Sequence, residues 1–172
     1  MNGSTPHHGR LTPAQINVIA CYARGQNAPQ IAAVLGISPR TVRSYCKRAA
    51  ICTNVEGRTL AALVDQAYRR GAFTDAHPDL ARKAAVTPPE LRLPHSLHRT
   101  LQCLAKGLST QETAREFGVS PATVKEYRRR LYETLGTESA PQAVAIGWQN
   151  RLLGPAASAR PGPRPQAVTA NR

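Results

Sequence analysis

Short stretches in which apolar residues return every three or four positions follow one another along most of this chain, separated by glycine or by a Ser, Thr or Asn placed one or two positions before a proline. That alternation predicts helices with capped ends and tight turns, and no strand-like period of two. The first stretch starts at Leu11, with Thr12 as its cap and Pro13 in the first helical position; Ile16, Ile19, Tyr22 and Ala23 share a face, and Gly25 stops it. A second helix starts at Asn27, which with Gln30 has the form of a capping box, and Ile31, Ala32 and Leu35 face inward before Gly36 turns the chain. A third runs from Pro39 to about Ala50, with Val42, Cys46 and Ala49 on one side. Asn54 and Gly57 break it, and Leu60, Ala61, Val64, Ala67 and Tyr68 mark a fourth that ends near Gly71.

The same order then repeats. Residues 36–48, GISPRTVRSYCKR, return 82 positions later as residues 118–130, GVSPATVKEYRRR. Around the second copy, Leu97, Leu101, Leu104 and Ala105 predict a helix ended by Gly107, and Ser109 with Glu112 forms a capping box for the next. Pro121 to Leu135 predicts a long helix closed by Gly136, and Ala143, Val144, Ile146 and Trp148 a fourth. The expectation is an all-α protein of two tandem four-helix domains, residues 11–73 and 93–153. A Pro-containing linker (74–92) joins them, with a disordered leader (1–10) and a disordered basic tail (154–172). Extended like polyproline, the linker would reach roughly 50 Å at ~3.1 Å per residue, more than the ~34 Å between successive major-groove faces on one side of DNA.

Charge gives these helices a partner. The chain has 23 Lys and Arg against 10 Asp and Glu, a net charge of +13 and a pI near 10.6. Eight cations against two acids fall in residues 11–73, eight against five in 93–153, and the linker is balanced. A polyanion is therefore expected, nucleic acid ahead of a membrane surface, since no apolar run is long enough to span a bilayer. In each third helix the side away from the apolar face carries the polar residues: Arg43, Ser44 and Lys47 in the first copy, Lys125, Glu126 and Arg129 in the second. The four cysteines lack CxxC spacing and read as small buried hydrophobes. His95 and His98 have no carboxylate or cysteine at metal-ligand spacing, and no Ser-His-Asp or phosphate-loop pattern occurs, so neither an enzyme, a cofactor nor a metal is expected. The polar first ten residues carry no secretory signal, which makes a cytoplasmic, nucleoid-associated protein the expectation.

The run from Leu101 to Gly136, LQCLAKGLSTQETAREFGVSPATVKEYRRRLYETLG, resembles the DNA-binding domain of the LuxR/NarL (GerE-type) regulators, a bacterial helix-turn-helix family. The first repeat resembles it too, through LTP, Ala23, Gly25, ISPRTV and a late Ala61. It departs after Arg48, where Ala49, Thr53 and Asn54 stand in place of the usual Ile, Leu and Gly, so a shorter or less well packed third helix is expected there. By position, the resemblance places Arg43, Ser44, Lys47, Lys125, Glu126 and Arg129 on DNA bases. It places Asn27, Arg40, Thr41, Tyr45, Arg48, Ser109, Thr123, Tyr127 and Arg130 near phosphates. The chemistry agrees: Arg and Lys donate to guanine O6 and N7, and Glu accepts from cytosine N4, while hydroxyls and the remaining cations suit the backbone. Because Ser44 and Glu126 differ, the two half-sites should differ.

The resemblance also implies that fourth helices pair, which makes Tyr68 and Trp148 interface candidates, within one chain as a monomeric pseudo-dimer or between two copies as a homodimer. The expected partner is double-stranded DNA, read in adjacent major grooves by a transcription regulator. The competing expectation is a sigma-like or adaptor protein that holds RNA polymerase with one repeat and DNA with the other.

Overall fold

The computed structural model describes residues 10–55, 59–73, 76–81 and 91–154. The expected leader apart from Arg10, the tail beyond Gly154, residues 74–75 and 82–90 of the expected linker, and Gly57 lie outside the described residues. Among those described there are eight α-helices and no strands: α1 (Pro13–Ala23), α2 (Ala28–Leu35), α3 (Pro39–Thr53), α4 (Leu60–Arg69), α5 (His95–Lys106), α6 (Thr110–Phe117), α7 (Pro121–Leu135) and α8 (Ala140–Gln149). None of these helices is long and apolar enough to cross a membrane.

The helix starts follow from the caps. Ser38 and Ser120 accept from the amides of Thr41 and Thr123 at 3.1 Å in both copies, with proline in the next position where no donor is needed. Asn27 with Gln30 and Ser109 with Glu112 close reciprocal capping boxes. Thr12 closes a third with Gln15, which explains why a glutamine stands early in α1. The α2–α3 and α6–α7 turns pass through Gly36 (φ 63°) and Gly118 (φ 67°), a left-handed conformation that glycine enters without steric cost.

The buried apolar residues of both halves join in one core cluster, with Val18, Ile19, Ile31, Val42 and Val64 from the first and Leu101, Leu131 and Val144 from the second; Ala114 and Val124 are buried outside it. Two expectations need correction. α3 is not shortened by the residues after Arg48; it runs 15 residues, the same as α7. Asn54 takes the left-handed cap (φ 51°) that Gly136 (φ 64°) takes in the other copy, and asparagine enters that region more readily than most residues. Thr53 sends its hydroxyl back to the Ala49 carbonyl at 2.8 Å, so the hydroxyl is satisfied inside the helix. The second correction concerns the cysteines: Cys21, Cys46 and Cys103 are buried, but Cys52 is only half-buried and donates to the Arg10 carbonyl at 3.3 Å.

The two units pack together. α4 lies against α8, and the neighbouring contacts are reciprocal, α1 touching α8 and α5 touching α4, as in a two-fold pairing of like domains. α4 and α8 are both ten residues long and start after Thr59 and Ser139 caps, so Tyr68 and Trp148 both stand ninth. Their rings stack 5.5 Å apart with a 2° interplanar angle, and Phe73 meets the edge of Tyr68 at 4.7 Å. One polar group breaks the likeness. Asp65, buried in α4 where α8 has Ala145, accepts from the Trp148 indole Nε1 at 2.8 Å and from Arg69 Nε at 2.5 Å. A buried carboxylate is tolerable only with such donors.

Part of the segment between the units is built into this seam. Pro78–Leu80 forms a 3-10 turn whose Leu80 is buried. Asp79 pairs with Arg24, the residue that caps the end of α1, His77 bridges Arg24 and Asn17, and Gln149 of α8 donates to the Asp79 carbonyl at 2.7 Å. Burial and the Arg24 guanidinium hold the His77 pKa below its ordinary 6.5, and Arg24 holds the Asp79 carboxyl below its ordinary 3.8.

Candidate nucleic-acid interface

The candidate interface is the outer side of α3 and α7, each presented by a preceding short helix and a tight turn. On α3, Val42, Cys46, Ala49 and Ala50 are buried, which turns Arg43 and Lys47 to solvent and leaves Ser44 half-buried beside them. Arg40 and Arg48 are exposed at the two flanks. None of these four cations makes an ion pair with any described residue, and α3 contains no acid.

α7 buries Val124 and Leu131, leaves Arg128 and Tyr132 half-buried where α3 has the buried Cys46 and Ala50, and exposes Lys125, Arg129 and Arg130. Its electrostatics differ. Arg129 donates to Glu126 through Nε at 2.9 Å and Nη2 at 2.7 Å, and Arg130 Nε donates to the same carboxylate at 2.7 Å. Glu133, one turn on, takes Arg129 Nη1. These spacings of three and four bring the side chains onto one helical surface. The two arginines hold the Glu126 carboxyl down at about 2, below its ordinary 4.5, and the carboxylates raise Arg129. Glu126 and Arg129, both expected on bases, are thus partnered with each other in the free chain. Arg128 is directed elsewhere: its Nη2 donates to the Leu108 carbonyl at 2.9 Å, tying α7 to the turn before α6.

Several residues expected near phosphates are already engaged within the protein. Thr41 and Thr123 share hydroxyl hydrogen bonds with Ser38 and Ser120 at 2.8 and 2.9 Å. Tyr45 and Tyr127 are half-buried, their rings resting on the core. The backbone amides of Asn27 and Ser109 already donate to Gln30 and Glu112. Any phosphate there would therefore meet the Asn27 amide group or the Ser109 hydroxyl. Tyr68 and Trp148 do not belong to this surface; both are buried in the α4–α8 seam.

Three participants escaped the sequence reading: Asp65, the Arg24–His77–Asp79 strap, and the structural use of Arg128. A lone acid within the apolar run LAALVDQAYR was the available signal for Asp65, because a buried carboxylate demands a donor. Arg24 and Asp79 are 55 residues apart, and nothing local announces their pairing.

Residues 99–146 match the family model of bacterial regulatory proteins of the luxR family. Residues 15–51, which span α1 to most of α3, match that of a helix-turn-helix domain. Comparison with curated proteins and with solved structures finds no match for the chain. Helix-turn-helix units of this kind support DNA binding. The chain therefore carries a LuxR-type helix-turn-helix in its second half and a helix-turn-helix of general type in its first.

Proposed function

We propose that this chain is a sequence-specific transcription regulator, a tandem of two LuxR-like units (residues 11–73 and 93–153) that reads adjacent major grooves of double-stranded DNA as an intramolecular pseudo-dimer. The observation that carries the reading is the duplicated presentation of α3 and α7. Both follow the same glycine turn and Ser-Pro cap, and both bury one face while holding cations outward. In this reading Arg43, Ser44, Lys47, Lys125, Glu126 and Arg129 meet base edges. Arg40, Thr41, Tyr45, Arg48, Thr123, Tyr127 and Arg130, with Asn27 and Ser109, set the register on phosphates. The pairing of α4 with α8 supports one chain doing the work of two copies, and the reading places the protein on the nucleoid with no catalytic step.

Selection of bound sequences from random DNA, followed by footprinting on the selected site, tests this. The expected result is protection over about two helical turns with a nonpalindromic consensus. Protection of a single turn defeats the tandem reading, and no preference over random competitor at physiological salt defeats DNA recognition altogether.

A second reading has one observation in its favour. Val34 and Ile51, 63% and 61% exposed, are the large apolar residues left at the surface among the described residues, and both lie in the first unit. An adaptor that holds RNA polymerase or another protein through that unit would use them. Isolated apolar residues on a surface are common, however, and the unpaired cations of α3 favour DNA. Substituting the outer residues of α3, its cations together with Ile51, separates the two: an adaptor keeps its DNA affinity and loses a protein partner.

A further inference from the structure

α3 and α7 carry four cations each, in opposite settings. Those of α3 meet no carboxylate among the described residues. On α7, Glu126 occupies Arg129 and Arg130 together, Glu133 occupies Arg129 again, and Arg128 is spent on a backbone carbonyl. Lys125 alone remains disengaged from any described residue. The network is at the surface, with Glu126 39% and the two arginines 58% and 61% exposed, so solvent and a ligand can both compete for it.

We propose that Glu126 is a specificity gate: it withholds the α7 arginines from DNA of arbitrary sequence and releases them only where a base offers the carboxylate a replacement donor. This inference rests on the DNA-binding reading and assigns Glu126 a role beyond a base contact.

The physical reason is a competition. A phosphate approaching Arg129 or Arg130 must also approach the carboxylate that holds them, and like charges repel at that distance. On random sequence the arginines therefore gain little by leaving Glu126. Where an exocyclic amine such as cytosine N4 stands opposite Glu126, the carboxylate gains a neutral donor and keeps a partner. Arg129 and Arg130 are then free to turn to phosphate or guanine. The cost of opening the network is met at the correct site alone, so α7 adds discrimination while α3 adds attraction that carries no such gate. The arrangement has no counterpart on α3, where Ser44 occupies the position of Glu126 and cannot hold a guanidinium in this way.

The test uses the full chain and Glu126→Gln, an exposed change that keeps shape and helix propensity. Duplex affinity is measured over a salt series on a random duplex and on the sequence selected by the wild type. The gate predicts tighter binding of Glu126→Gln to the random duplex, with a salt slope steeper by about one to two as the freed arginines reach phosphates. It predicts a specificity ratio lowered by roughly fivefold or more. Glu133→Gln, which frees only one tie of Arg129, should move the same readouts less and in the same direction. Unchanged random-duplex affinity and slope would overturn the gate even if selectivity fell, because Glu126 would then be a base contact only. Wild-type protein with no duplex affinity at low salt would sink the DNA-binding reading itself, which keeps the two failures apart.

Discussion

The two units are built on one plan and finished differently, and the finishing falls at the two places where they meet something else. Inside, they agree closely: a Ser-Pro cap on each third helix, a left-handed glycine before it, and 15 residues of α3 matched by 15 of α7. At the outer face, α3 holds four cations unpaired with any described residue, and α7 holds its cations against Glu126 and Glu133. At the seam, α4 brings Asp65 and Tyr68, and α8 answers with Ala145 and Trp148. A scaffold set by local capping and apolar spacing leaves the solvent face and the contact face free to diverge. Two copies in one chain can therefore become unlike partners in a way that two identical chains cannot.

The largest effect should come from dissolving the seam. Trp148→Ala removes a buried ring, its stack on Tyr68 and the donor to Asp65; truncations of this kind cost about 3–5 kcal/mol. Thermal unfolding should change from one transition to two as the units come apart, and a single transition at nearly the original temperature would show that the seam does not couple them. Next come α3 and α7, the helices proposed to face DNA. Arg43→Ala and Lys125→Ala should each weaken binding by about 1–3 kcal/mol and relax selectivity at different positions of the site. Equal loss on all sequences, seen in a titration against the selected and random duplexes, would place these side chains on phosphates.

The caps provide a smaller and more even comparison. Asn54→Ala and Gly136→Ala each put alanine where the backbone is left-handed, at a cost of about 1 kcal/mol, measurable by denaturant unfolding. A similar cost at both would show that Asn54 does for α3 what glycine does for α7. A negligible cost at Asn54 would mean α3 ends loosely.

The smallest effect belongs to the strap, which the second unit reaches through Gln149. His77 has its pKa below 6.5 in the folded chain, so below that pH the unfolded chain binds more protons and folding loses stability as pH falls from 6.5. Asp79 is held below 3.8, so its contribution is present above that value and is lost as pH falls further. His77→Gln should flatten the stability profile between pH 7 and 5 while leaving the acid limb. An unchanged profile would mean His77 does not titrate against Arg24.

Much of this was legible without coordinates. Helix starts at Ser38, Ser120, Asn27 and Ser109, and the outward placement of Arg43, Lys47 and Lys125, follow from rules that act within one turn of helix. The length of α3 is hidden in the sequence because a cap can be made by Asn54 as well as by glycine, and a motif compared letter by letter does not show that equivalence. Helical periodicity puts Glu126 on the outer face of α7, and its spacing of three and four residues from Arg129 and Arg130 carries the signal for their pairing.

By itself, then, the order of residues determined that this protein is two helical units, where each helix starts, and which sides of α3 and α7 are buried, since propensity, capping and periodicity act over a few residues. Only the tertiary structure decided that α4 meets α8, that Asp65 finds the Trp148 indole 83 residues away, and that Asp79 folds back on Arg24. Those pairings depend on which surfaces exclude water from one another once both units exist. No short window of sequence contains that choice.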